Sequence, residues 1–466
     1  MLLHNEQLRS LMKDRYTVAD VRQLWDTLRA RGVLDFPSLH NGLFPAAIVS
    51  SETTYTGYAN VWVRDNIHIA HAHHFVGQTG VAVRTVRSLM SFFQRQRPRF
   101  ESIIRGQADP DEVMQRPHIR FDGQSLAEID QKWSHAQNDA LGYFLWLYCR
   151  LAREGHIQPT PLDQEALGLF SRYFDAIQYW QDSDSGHWEE RRKISASSIG
   201  TVVAGLRELR RLTDASGQRD LPRGTACSAA GVLTGGVGDM CATPKAASGG
   251  TGGTSPATCG GPRNLLDRLI TAGESALRQI FPWECRQADP ARNRRFDAAL
   301  LFLIFPLEVV DAAMAHQILT DVAGHLQGDH GIRRYLGDSF WAADYKQKLA
   351  PEFRTVDMGD DMAARDALAR DGCEAQWCIF DPIVSTIYGR QYQATRDPKL
   401  LELQTVFLNR SLGQITGAGE AVPPWKCPEL YYLEAGRYVA NDATPLLWTQ
   451  ANLLMALKTM SDSAAL

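Results

Sequence analysis

No stretch of this chain stays apolar for the roughly 20 residues that a bilayer crossing needs. The most apolar run, Ala298 to Val310, is interrupted by Pro306 and Glu308. The opening residues, Met1 to Arg9, lack the apolar core of a secretion leader. No membrane partner is expected. An excess of positive charge is also missing: 49 Lys and Arg stand against 53 Asp and Glu, a net charge of -4. That balance excludes the basic footprint of a nucleic-acid binder. The eight cysteines form no CxxC pair and no close Cys/His spacing, so neither a structural zinc site nor a disulfide framework is indicated. They read as unpaired thiols of a cytoplasmic protein. No nucleotide-binding motif and no fixed period of 30 to 45 residues appears, which argues against a cofactor enzyme and a superhelical repeat array.

What is present is helix after helix. Apolar residues recur at helical spacing in Val18–Arg31, Val63–Val76, Val81–Gln94, Ala136–Arg153, Leu162–Gln181 and Ser197–Leu212. The pattern returns in Asn264–Ile280, Leu307–Leu326, Glu374–Gly389, Lys399–Leu412 and Thr444–Met460, with no train of alternating strands. Loops between them, such as Trp180–Trp188, Gly331–Trp341 and Ala421–Asn441, are longer than a simple bundle needs. This arrangement predicts an all-α fold, an (α/α)6 barrel of helical hairpins. At about 150 residues per domain the length suggests three domains, but a closed barrel uses residues 1–466 as one. Gly224–Pro262 stands apart, with eleven glycines, three cysteines and almost no large apolar residue. It reads as a disordered insertion, since it cannot bury enough surface to offset its ordering.

Four local constellations carry possible chemistry. Trp62-Val63-Arg64-Asp65 opens a helix; an arginine beside an aspartate can grip sugar hydroxyls, or simply cap the helix. Trp133-Ser-His-Ala-Gln137-Asn138-Asp139 leads into an apolar helix. His187-Trp188-Glu189-Glu190 sets two carboxylates beside an indole, and an apolar wall raises a carboxylic acid's pKa toward neutrality. Pro423–Glu434 is an aromatic-rich loop containing Glu429 and Glu434. The histidines of Asn66–His74 (His68, His71, His73, His74) have no HExxH pattern and read as core residues rather than metal ligands. The loop between Trp341 and Glu374 is long and acidic, a candidate cover for a pocket mouth.

In their order along the chain, these motifs resemble glycoside hydrolase family 15, the glucoamylases, and the related glucoamylase-like domains of phosphorylase kinase regulatory subunits. Arg334-Tyr335-x-x-Asp338-Ser339 and Leu447-Trp448 extend the match, and Cys427–Tyr432 is similar to the phosphorylase-kinase branch. The resemblance implies an inverting, exo-acting hydrolase that releases β-glucose from a small α-glucoside or oligosaccharide. It implies Glu189 as general acid and Glu429 as general base. The resemblance places the base some 17 residues before the tryptophan matched by Trp448; Glu429 lies 19 before it and Glu434 14, so the match leans to Glu429 and leaves Glu434 as the alternative. It further implies that Arg64, Asp65, Trp133, Asn138, Asp139, Trp188, Glu190, Arg334 and Trp448 bind the terminal glucose, with no metal or cofactor. Inversion needs two carboxyls about 6.5–9.5 Å apart, which two adjacent residues such as Glu189 and Glu190 cannot supply. The rival reading is a non-catalytic, glucan-binding regulatory module.

Overall fold

The computed structural model describes residues 2–215, 262–290, 293–370 and 372–466. Helices Val63–Phe75, Asn138–Arg153, Ala196–Ala215, Leu301–Ile304, Phe380–Thr395 and Leu447–Ala464 form a ring in which each packs on the next and the last closes on the first. A second helix backs each member. Thr79–Arg95, Pro161–Ala176, Pro262–Ile280, Ala312–Asp321 and Pro398–Gly413 follow their inner partners in sequence, and Val18–Ala30 covers Leu447–Ala464. The fold is therefore an (α/α)6 barrel.

The two rings differ in how sequence makes them. Several outer helices carry start signals in the sequence: Thr17 and Thr160 each form a capping box with an aspartate three residues on, and Pro161 and Pro398 stand in the first turn. Inner helices are buried on nearly all sides, as Asn138–Arg153 and Leu447–Ala464 show, so packing holds them rather than caps. Two glycines permit the tightest inner crossing. A Cβ on Gly142 would lie 2.8 Å from the Thr201 backbone, and one on Gly205 would lie 2.7 Å from the Gly142 carbonyl oxygen.

Connections from an inner helix to its outer partner are short where the chain is described, as at 75–79, 153–161, 304–312 and 395–398. Those leading from an outer helix to the next inner one are long, and all emerge at the end of the barrel where inner helices begin. Two small antiparallel sheets lie among them: Val61–Trp62 with Arg120–Asp122 and Ala127–Glu128, and Gln376–Trp377 with Leu430–Glu434 and Arg437–Ala440.

Several expected boundaries move. The helix expected from Leu307 begins at Ala312, because Glu308 has a left-handed backbone (φ 51°) and Asp311 caps the helix through the Met314 N–H. That expected from Glu374 begins at Phe380, because Gln376 and Trp377 pair as a strand with Tyr431 and Leu430. Leu301–Ile304 and Arg97–Ile104 were not anticipated as helices. The Gly224–Pro262 insertion, apart from its last residue, lies outside the described residues, as do Cys227, Cys241 and Cys259.

Candidate active site

The long loops enclose a hollow of about 770 Å³, open mouth included, at the N-terminal end of the inner ring. Eight of the eleven residues singled out in the sequence line it: Arg64, Asp65, Trp133, Trp188, Glu189, Arg334, Glu429 and Trp448. Asn138, Asp139 and Glu190 lie behind the wall. Asp139 is fully buried and accepts a 2.6 Å hydrogen bond from Arg64 Nη1. Asn138 donates to Asp182, and its backbone N–H to Asp184. Glu434 ends a strand, accepts from Gln347 and does not line the hollow.

Glu189 and Glu190 diverge because the backbone turns between them. Glu189 has φ 57°, a left-handed conformation that costs a non-glycine residue about 1–2 kcal/mol. Its carboxylate accepts from Arg64 Nη2 at 3.0 Å and from the Trp62 indole N–H at 3.4 Å. Burial pushes its pKa up, and the charge of Arg64 opposes that push without cancelling it. Glu190 is buried among Arg334 (2.9 Å), Arg365 (2.8 Å), Arg294 (3.4 Å) and the Tyr335 hydroxyl (2.7 Å). Those guanidinium groups overcome its burial and hold it well below the usual carboxylate range. Glu190 thus orients two arginines that reach the hollow, Arg334 and Arg365.

Glu429 has neutral partners instead. The Tyr58 hydroxyl donates to Oε1 at 2.8 Å and the Asn441 amide to Oε2 at 2.5 Å. Burial raises its pKa to about 7 against the pull of these two donors. Burial likewise lifts Asp65 to about 7, opposed by Arg64. No side chain among the described residues donates to the Asp65 carboxylate, which faces the hollow and is met by its own backbone N–H.

Indole faces complete the walls. Trp188 donates to Asp297 at 2.9 Å, Trp448 stacks on His68 at 4.4 Å, and Arg120 lies 4.1 Å above the Trp133 ring. The segment 355–366 forms a strap along one wall of the hollow, with Thr355, Val356 and Asp357 in its lining. It is fastened by Ser134 to Asp357 (2.7 Å), by an ion pair between Lys132 and Asp360, and by Arg365 to Glu190.

Sequence reasoning missed Tyr58, Phe340, Arg365, Trp377 and Asn441. Trp377 carried a usable signal, a tryptophan just before an inner helix as with Trp62. Tyr58 and Asn441 carried none, since they matter only through Glu429.

Comparison with known proteins agrees with this architecture. The glycosidase structure described as wild type superposes with a TM-score of 0.60 at 16% identity, covering 95% of this chain and 98% of that one. The glucoamylase of Saccharomycopsis fibuligera gives a TM-score of 0.56 at 12% identity, covering 97% and 98%. A probable phosphorylase b kinase regulatory subunit alpha from Drosophila melanogaster is 22% identical over 331 residues, 64% of this chain. The chain spans 22% of that relative's length. The family described as Glycosyl hydrolases family 15 matches residues 33–394. With most of the chain inside that match and the barrel shared with its neighbours, this protein belongs to glycosyl hydrolases family 15.

Proposed function

We propose that the protein is an inverting, exo-acting α-glucosidase of glucoamylase type, releasing β-glucose from the non-reducing end of a small α-glucoside or oligosaccharide. The observation that carries this reading is the shared hollow. Glu189 and Glu429 face it from distant segments, and Asp65 offers it a carboxylate to which no described side chain donates. A related glycosidase variant is described in complex with glucose and a bacterial glucoamylase in complex with acarbose, which supports a carbohydrate ligand here.

In this mechanism Glu189 gives its proton to the glycosidic oxygen as the C1–O bond breaks. Burial favours the protonated form beforehand, and Arg64 at 3.0 Å stabilises the carboxylate left behind. Glu429 takes a proton from water, whose oxygen bonds to C1 on the opposite face. Tyr58 and Asn441 donate to Glu429 and so favour its ionised, proton-accepting form. Asp65, Arg334 and Arg365 bind sugar hydroxyls, while Trp133, Trp188 and Trp448 cover the apolar ring faces. Arg64 acts mainly through Glu189, and Asn138, Asp139 and Glu190 act from behind the wall as positioning residues.

The strap adds a wall to the hollow, which supports short soluble substrates over insoluble glucan. We assign the whole chain to one catalytic unit, supported by the packing of Val18–Ala30 on the last helix. The scattered cysteines support a cytoplasmic setting, and no described helix is long and apolar enough to cross a membrane.

Glucose release from maltose, isomaltose and glycogen tests the proposal. Turnover on the disaccharides, lost in Glu189→Gln and Glu429→Gln, is the expected result. The similarity to a kinase regulatory subunit favours one other reading, a glucan-binding module. Tight binding of these sugars without turnover would establish that reading instead.

A further inference from the structure

At the end of the barrel away from the hollow, side chains from two adjacent inner helices meet. His74 lies in the last turn of Val63–Phe75, Glu154 caps Asn138–Arg153, and His156 stands two residues beyond. One ligand atom from each falls within 4.8 Å of the other two. We propose that His74, Glu154 and His156 bind a divalent cation of the zinc class.

The donor set suits that ion: two imidazole nitrogens and one carboxylate oxygen, with a fourth position left to water. Ligand bonds of about 2.0–2.2 Å meeting near tetrahedral or right angles place ligand atoms about 3.0–3.5 Å apart. His74 Nε2 and Glu154 Oε2 are 3.0 Å apart. His156 Nε2 is 3.9 Å from the same oxygen, and its ring, 41% exposed, meets that of His74 edge-on with centroids 5.6 Å apart.

Outer contacts orient these ligands as metal sites require. His74 Nδ1 is 3.0 Å from the Thr79 hydroxyl, which directs Nε2 toward the cluster. Arg150 Nε engages Glu154 Oε1 at 3.0 Å, while Oε2 meets His74 Nε2 in a direct hydrogen bond that the ion would replace. This is chemistry that local spacing could not show. His68 and His71 are buried in aromatic surroundings and His73 is bound to Gln78, whereas His74 pairs with residues 80 and 82 positions away.

A cation here ties the C-terminal ends of two inner helices together. It should stabilise the barrel without touching hydrolysis, because the hollow lies at the other end. Calorimetric titration of the chelator-treated whole protein with Zn²⁺ tests this, alongside Glu154→Gln and His156→Ala. The parent should bind one equivalent that both variants lose, and saturating Zn²⁺ should raise the parent's thermal midpoint by a few degrees and theirs not at all. Both metal-free variants should match the parent's midpoint, which verifies their fold. Bound Co²⁺ should absorb as a nitrogen and oxygen site, without a thiolate charge-transfer band. Equal Zn²⁺ stoichiometry in parent and both variants, a thiolate band as the parent's sole signature, or no binding by the parent would overturn the proposal.

Discussion

Glu189 and Glu429 face one hollow but are held by opposite means. Glu189 occupies a left-handed turn and leans on a cation, Arg64, which is itself locked to buried Asp139. Glu429 precedes a strand and leans on two neutral donors, Tyr58 and Asn441. A cation nearby is worth most once a proton has left, and so suits a group that gives its proton away. Neutral donors define an ionised acceptor without balancing its charge, so burial still lifts Glu429 to about 7. Two carboxyls of one residue type are thus given different surroundings by their neighbours, as the proposed acid and base roles require.

The sharpest way to break this comparison is to neutralise each member. Glu189→Gln and Glu429→Gln should each lower kcat by about 10²–10⁴, the usual share of general acid–base catalysis. Near-full activity in either would remove that residue from the chemistry. Next in size is Arg64→Ala, which strands the buried Asp139 carboxylate. It should destabilise the fold by about 3–5 kcal/mol, read by urea unfolding, and the charged and neutral supports would then differ in stability as well as in chemistry.

A third test uses pH. Native Glu429 keeps its proton up to about 7, whereas the unfolded chain releases it near 4.5. Its contribution to stability therefore falls as pH rises between those values, by up to about 3 kcal/mol. Glu429→Gln should flatten that decline in unfolding measurements from pH 4 to 8; an unchanged slope would mean that Glu429 titrates normally. The smallest effect belongs to Tyr58→Phe. Losing one donor to the carboxylate should raise the Glu429 pKa further and move the acidic limb of kcat/KM upward by about one pH unit. A limb that stays in place would detach Tyr58 from the base.

The barrel was legible because its helices obey local rules: period, caps and proline position mark Val18–Ala30 and Pro161–Ala176 in sequence alone. Leu301–Ile304 escaped because four residues show no period, and Gln376–Trp377 because its strand character depends on Tyr431 and Leu430, more than 50 positions away. The motif residues of the hollow were visible as clusters of chemistry at helix entrances. Which of them face inward was not: adjacent Glu189 and Glu190 are parted by one backbone angle and three arginines. Tyr58, Asn441 and Arg365 were invisible because their importance lies wholly in what they touch.

The division of labour between the two carboxyls is tested most directly by the anomer first released. Proton NMR should be recorded on fresh hydrolysate of an α-linked disaccharide, before mutarotation mixes the forms. Attack of Glu429-activated water opposite the leaving oxygen predicts β-glucose as the initial product. Initial α-glucose would contradict the account.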